Sequence, residues 1–156
     1  MSDFDTSYRE LKPDIEELAD TLFRASETLV RKRGAFLPHG ALRKAGGEIQ
    51  LMMAAPDDPA QERVSTLEML PNLHDAMRYA AIQEDALAIA VCEDVRISSA
   101  SLAETRAIKV LVEHRRGLSD ALYLPFHRKL LGYSFGEVFA VPASPEVQPW
   151  PNTAAV

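Results

Sequence analysis

The chain has 156 residues and carries 17 lysine and arginine side chains against 23 aspartate and glutamate side chains, so its formal net charge at pH 7 is −6. This length suits one domain, and a composition that is 47% hydrophobic and 26% charged excludes a disordered chain, a collagen and a membrane-embedded bundle. Its single cysteine, Cys92, excludes an intrachain disulfide and a cysteine-rich metal site. An acidic N-terminal stretch and the lack of an apolar run of about 18 residues predict a cytoplasmic protein with no membrane partner.

The first predicted element is a long amphipathic helix. Apolar residues recur at helical spacing over residues 15–30, and acidic residues follow Pro13. Three basic residues precede Gly34, where they suit the negative end of the helix dipole. The pattern therefore predicts a helix over about residues 13–33.

A β-hairpin is predicted next. Residues 35–53 contain two short apolar stretches on either side of the glycine turn at Gly46 and Gly47. Pro38 and Gly40 interrupt the first stretch, so we expect an irregular first strand.

The second predicted helix follows a turn-rich segment. Ser65 and Glu68 have the spacing of a capping box, and an apolar stripe continues to about residue 83. Pro71 lies inside this stripe and is expected to kink the helix or divide it, because its ring removes a backbone donor.

The remaining sequence alternates in hydrophobicity as strands do. The alternation predicts strands at residues 86–97, 105–114, 118–127 and 132–141. Short links between them indicate an antiparallel meander. The proline-rich residues 142–156 are expected to form a mobile tail outside a single domain of residues 1–141.

These elements define an α+β fold with an antiparallel sheet of five to six strands and two main helices. The order is α-β-β-α-β-β-β, with one further β-strand at the end when residues 132–141 are counted. The same succession occurs in profilin-like, PAS-like and Roadblock-like domains, and fold alone does not determine function.

Several short stretches resemble one group of small uncharacterised bacterial proteins. The resemblance lies in the motif aromatic-x-Pro-x-Gly-Ala at residues 36–41 and in a later strand that ends in Glu-His-Arg at residues 113–115. It covers roughly residues 30–139. It implies a bacterial α+β domain and supplies no catalytic residues.

Glu93 is the unusual residue of the predicted sheet, because it occupies the buried parity between Val91 and Val95. One interpretation is a β-bulge or an ion pair with an arginine under the helices. The other is a ligand-binding or catalytic carboxylate in a helix–sheet pocket, with His39 as a second candidate ligand-binding residue.

A metal site built from Glu93, His114 and His127 is not expected. Matching the buried parities of the two strands sets Val91 opposite Val110, which places Glu93 and His114 roughly 20 Å apart. The sequence contains no nucleophile motif and no phosphate-binding loop, so we expect no catalytic residue, no metal and no cofactor.

Basic residues occur in four runs, at residues 31–33, 43–44, 115–116 and 128–129. The predicted topology places these runs at different ends of the sheet, so they cannot all converge. Nucleic acid is therefore not an expected partner.

The face of the sheet opposite the predicted core is mixed in character. Small and apolar residues with a few charges occupy it, and we expect a homodimer or protein interface there formed by Leu111, Tyr123, Lys109 and Cys92. The alternative is that one helix crosses the sheet and covers this face.

The sequence thus favours a non-enzymatic protein-interaction or regulatory module whose partner is another protein or a second copy of the chain. The competing hypothesis is a small-ligand sensor or enzyme with a helix–sheet pocket around Glu93.

Overall fold

The computed structural model describes residues 3–53, 66–99 and 102–150 and is an α+β protein with an antiparallel sheet, as expected. Its elements in chain order are α1 (Asp3–Arg33), β1 (His39–Lys44), β2 (Ile49–Met53), α2 (Thr66–Gln83), β3 (Ala86–Ser99), β4 (Leu102–His114), β5 (Ser119–Arg128), β6 (Tyr133–Phe135) and β7 (Phe139–Pro142). The strands number seven rather than five to six, because the region expected as one last strand forms two short ones. The proposed cap at Ser65 lies outside the described residues.

The seven strands form one sheet in the order β2-β1-β3-β4-β5-β6, and β7 pairs with the same edge of β5 as β6 does. Every pairing is antiparallel. Gly47 and Gly117 adopt φ values of 96° and 95°, which the tight turns after β1 and β4 require. The hairpins predicted around these two glycines are therefore present.

The two helices lie on opposite faces of the sheet. The face under α1 carries small residues on β3, β-branched residues on β4 and larger apolar residues on β5: Ala88, Ala90, Cys92, Ile108, Val110, Val112, Leu122, Leu124 and Phe126. The face under α2 carries Leu42, Ile89 and Val91. The alternative in which one helix crosses the sheet is thus the one that the structure shows.

Helix α1 is longer than the sequence pattern predicts. It begins at Asp3, and Pro13 lies inside it. Leu11 and Ile15 both join the core under this helix, so the apolar stripe continues across the proline.

Helix α2 is continuous across Pro71 and is not divided there. It packs closely on the sheet at Gly40, where an added Cβ would lie 2.6 Å from the Ala90 carbonyl oxygen and 2.7 Å from Met77 Sδ. Glycine at this position therefore lets α2 approach the sheet, which explains the residue that interrupts β1.

The predicted register between β3 and β4 is wrong by one residue. Val91 lies opposite Leu111 rather than Val110, and Glu93 lies opposite Lys109. A shift of one residue exchanges the two faces of a strand. The prediction assumed one buried face, whereas both faces of β3 are covered, so apolar parity alone could not select the register.

The expectation of a mobile tail from residue 142 is wrong as far as residue 150. Val147 is fully buried in the core under α2, and Trp150 packs against the same core. The carboxylate of Glu113 accepts hydrogen bonds from the backbone N–H groups of Glu146, Val147 and Gln148 at 3.3, 2.9 and 2.8 Å. We call residues 143–150 the C-terminal strap.

We predict that a chain ending at residue 142 is less stable than the full chain by about 3 kcal/mol or more. Truncation removes the buried Val147 and leaves the Glu113 carboxylate without three backbone donors. Urea unfolding followed by circular dichroism measures the difference. A chain ending at residue 150 is the control, and equal midpoints for the two truncated chains would contradict the packing of the strap.

Candidate functional site

Three buried polar side chains meet between α1 and the sheet. Ser26 Oγ lies 3.2 Å from His39 Nε2 and 3.0 Å from Cys92 Sγ. His39 Nδ1 lies 2.9 Å from the Leu37 carbonyl oxygen. All three side chains of this serine–histidine–cysteine cluster are buried: Ser26 and Cys92 are fully inaccessible and His39 is 4% exposed.

The hydrogen bonds of this cluster determine where the protons sit. Since the Leu37 carbonyl can only accept, His39 donates from Nδ1 and its Nε2 is left to accept the Ser26 hydroxyl proton. The Cys92 thiol then donates to Ser26 Oγ. Each polar group is satisfied in its neutral form.

The pKa values agree with a neutral cluster. Burial raises the pKa of the Cys92 thiol to about 12, and the pKa of His39 is lowered, chiefly by burial. A thiol held so firmly in its protonated form is a poor nucleophile. The cluster therefore serves packing and hydrogen bonding, although its residue types resemble those of a catalytic triad.

A second polar cluster lies on the opposite face, between β3, β4 and the C-terminal strap. Lys109 Nζ lies 3.9 Å from a Glu93 carboxylate oxygen and 3.7 Å from one of Glu146. His74 of α2 is close enough to lower the pKa of Glu93 by its charge. We call these four residues the Glu93 cluster.

Burial dominates the electrostatics of Glu93. Desolvation raises the pKa of this carboxyl above its ordinary value of 4.5, the Lys109 ammonium opposes the rise, and Glu146 adds to it. Nε2 of His74 is buried and has no hydrogen-bond partner among the residues that the structure describes. The expected ion pair of Glu93 is thus present, with a lysine in place of an arginine.

The candidate residues Glu93 and His39 do not form one site. His39 pairs in register with Cys92 and faces α1, whereas the next residue, Glu93, faces the C-terminal strap. Adjacent strand residues point to opposite faces, so the sheet itself separates the two side chains.

Two of the four residues named for the expected interface, Leu111 and Cys92, are buried within the chain. Leu111 is only 2% exposed, and Cys92 lies on the other face under α1. Lys109 belongs to the Glu93 cluster, and the Tyr123 ring stacks on Phe139 with centroids 5.3 Å apart. Leu111 and Cys92 are therefore inaccessible to a partner, because α2, α1 and the strap already cover the two faces.

The histidines considered as metal ligands are spread over the sheet. His114 Nδ1 accepts from the backbone N–H of Arg116 at 3.1 Å, and its Nε2 lies 3.6 Å from Asp14 Oδ2. His127 is exposed near the far end of β5. Over residues 3–53, 66–99 and 102–150, no three histidine, cysteine, aspartate or glutamate side chains are grouped as metal ligands.

Sequence reasoning did not assign Ser26, His74, Glu113 or Glu146 to a site. Ser26 lies one helical turn after Leu22 and one before Val30, inside the apolar stripe of α1, so a polar residue at a buried position was a readable signal. Glu113 lies two residues after Leu111 and therefore on the same strand face, so it too was a polar residue among apolar ones. No residue near Glu146 in the sequence indicated its contact with Lys109, because that contact depends on how the strap folds back onto the sheet.

Comparison of the chain with known protein families, with curated proteins and with solved structures gives no match. The resemblance to small bacterial proteins stays a prediction.

We predict that the Cys92 thiol of the native protein reacts slowly with an aromatic disulfide reagent at neutral pH. The side chain is fully buried and its pKa of about 12 leaves almost no thiolate. Absorbance of the released thiolate measures the rate, with the urea-unfolded chain as the control. Equally fast reaction of the folded and unfolded chains would contradict the sealed cluster.

We predict that Glu93→Gln changes the pH dependence of stability. Because the folded-state pKa of Glu93 lies above its ordinary value of 4.5, the folded protein binds this proton more tightly than the unfolded chain does. The free energy of unfolding of the wild type should therefore fall as pH rises from about 4.5 through the folded-state pKa. The glutamine variant has no proton to lose there and should keep that stability.

Urea unfolding at a series of pH values measures this effect. Glu104→Gln, on the exposed part of β4, is the control for loss of one carboxylate. A constant difference between wild type and Glu93→Gln across the acidic range would show that Glu93 is well solvated in the folded protein.

Proposed function

We propose that the chain is a non-enzymatic protein-interaction module and that its first partner is a second copy of itself, bound along β2. The observation that carries the proposal is the chemistry of this strand. Among the described residues, no strand pairs with the outer edge of β2, and its sequence is Ile-Gln-Leu-Met-Met. It contains no charge and no proline, the devices by which a permanently free edge avoids pairing.

The backbone of β2 is ready for such pairing. Lys44 N–H donates to the Glu48 carbonyl at the hairpin turn, so Lys44 and Glu48 are a hydrogen-bonded pair. From there, hydrogen-bonded and non-hydrogen-bonded pairs alternate along β1 and β2. By this alternation Gln50 and Met52 bond to β1, while Ile49, Leu51 and Met53 direct their N–H and C=O groups outward.

Two of these three residues also supply exposed apolar side chains, while Ile49 packs partly against the core under α1. Leu51 is 56% exposed and Met53 is 70% exposed. Antiparallel pairing of two copies about Leu51 would set Leu51 against its own counterpart and Ile49 against Met53 of the other copy. The strand is thus self-complementary, which is the condition for a closed two-fold dimer.

The serine–histidine–cysteine cluster supports a non-enzymatic function. Its groups are sealed, neutral and mutually satisfied, as described above. The face around Leu111 is covered within the chain, so we place the proposed interface at the edge of the sheet instead of on its central face.

A ligand sensor is the second candidate, and the Glu93 cluster favours it. Lys109 stands between two carboxylates at distances too long for hydrogen bonds, and the Glu146 side chain is half exposed. Glu93, Glu146 and Lys109 together carry one net negative charge, which His74 offsets only when it is protonated, and this charge suits a small cationic ligand such as an amine. A panel of amines that raises the stability of wild type but not of Glu93→Gln would favour this function.

We predict that Leu51→Lys weakens self-association about tenfold or more. The substitution removes an apolar pair and sets two like charges directly opposite each other at the two-fold axis. Sedimentation velocity over a concentration series measures the association. Tyr79→Lys is the control, because Tyr79 is an apolar side chain that is 70% exposed, against 56% for Leu51, and lies on α2.

Circular dichroism should show that both lysine variants keep the fold. A wild-type chain that stays monomeric at all concentrations would contradict self-pairing along β2. Equal association of Leu51→Lys and wild type would place any dimer contact elsewhere.

A further inference from the structure

Two leucines project from the turn between β5 and β6. Leu130 is 99% exposed and Leu131 is 92% exposed. The Lys129 N–H donates to the Gly132 carbonyl at 2.8 Å, and Gly132 adopts a φ of 89°. The closed turn therefore holds both leucines away from the protein, and we call residues 129–132 the leucine tip.

The end of α1 lies beside this tip. The Arg31 guanidinium stands 4.7 Å from the centre of the Phe135 ring of β6. Gly34 lies against Tyr133, since a Cβ built there would be 2.8 Å from the tyrosine hydroxyl oxygen. Tyr133 pairs in register with Arg128, directly before the tip. Two basic runs that are far apart in sequence therefore meet at this end of the sheet.

The meeting produces a local excess of positive charge in an acidic chain. Five exposed cationic side chains belong to it: Arg31, Lys32, Arg33, Arg128 and Lys129. No acidic residue occurs over residues 28–47 or 121–136. None of the five forms an ion pair with a residue that the structure describes, whereas nearby Arg106 is paired with Asp94 at 2.6 Å.

We propose that the leucine tip and its five cations bind the surface of a bilayer that contains anionic lipids. Bilayer hydrocarbon can surround a convex projection on all sides, so both leucines would be buried without a preformed pocket. A protein partner would need about 800 Å² on each side for a standard interface, and one turn supplies only a fraction of that area.

Charge and apolar contact act together at such a surface. Each lysine or arginine near an anionic leaflet raises membrane affinity by about fivefold, and this part of the affinity is screened by salt. The leucines add a part that salt does not screen. Surface attachment needs no spanning segment, and no helix among the described residues is long and apolar enough to cross a membrane. At this one surface the proposal departs from the expectation of no membrane partner.

Co-sedimentation with vesicles tests the proposal on the full chain. We expect binding to vesicles of phosphatidylcholine mixed with phosphatidylglycerol, weaker binding as salt rises, and little binding to phosphatidylcholine alone. The double substitution Leu130→Ser with Leu131→Ser should lower binding about tenfold or more. Its control is Tyr79→Ser with Ile82→Ser, which removes two exposed apolar side chains from α2.

The charge contribution has its own matched pair of variants. Arg128→Gln with Lys129→Gln should weaken binding to the mixed vesicles by more than tenfold. Arg115→Gln with Arg116→Gln removes the same charge from the turn after β4, at the other end of β5, and should weaken binding less. Equal weakening by both pairs would show a response to net charge alone and overturn the proposed site.

A fluorescent label reports insertion directly. Because Cys92 is fully buried, Leu131→Cys creates the one readily labelled thiol of the described chain. An environment-sensitive dye on that thiol should shift to shorter wavelength with mixed vesicles and not with phosphatidylcholine. A shift with poly-glutamate but not with vesicles would assign the tip to an acidic protein segment and overturn the membrane proposal. None of these variants touches β2, so the outcome is separate from self-association.

Discussion

The whole fold depends on the burial of β3 on both of its faces. Ala88, Ala90 and Cys92 point toward α1, while Ile89 and Val91 point toward α2, and each is almost fully inaccessible to solvent. A strand buried in this way needs a paired neighbour on each side and a helix over each face. β1, β4 and the two helices meet that need, and the remaining elements extend the sheet outward.

The covered strand also separates two chemically different clusters. Cys92 and Glu93 are neighbours in the chain, yet they point to opposite faces. The long helix α1 covers one face, and the Ser26, His39 and Cys92 groups buried beneath it are neutral and satisfy one another. The opposite face is closed beside α2 by the C-terminal strap, which brings a second carboxylate to Lys109.

One side chain of β4 binds the backbone of the strap at three consecutive residues. The Glu113 carboxylate accepts from three consecutive backbone N–H groups, and Gln148 adopts a positive φ of 49° at the end of this arrangement. Consecutive N–H groups that converge in this way form a nest for an anion, and the anion here belongs to the protein itself. Glu113 therefore extends the hydrophobic cover to a part of the sheet that α2 does not reach.

Groups that remain available to a partner lie where the helices and the strap no longer cover the sheet. β2 leaves backbone groups and two apolar side chains at one edge of the sheet. The leucine tip leaves two more beside β6, near the opposite edge, where it is accompanied by cations. The two surfaces lie on different sides of the molecule, so each can act without competing with the other.

Local sequence determined the element types. Periodicity identified both helices and the long strands, and Gly47 and Gly117 marked their turns, because these signals arise from backbone geometry and from neighbours close in the chain. It also singled out Glu93 as a charged residue at a buried strand position. Tertiary structure alone decided the register between β3 and β4, the face that each helix covers, and the packing of the strap. Those choices rest on contacts between distant residues, such as Gly40 with Met77 and Glu113 with Val147. When both faces of a strand are buried, the alternation of its side chains no longer tells which face belongs to which helix.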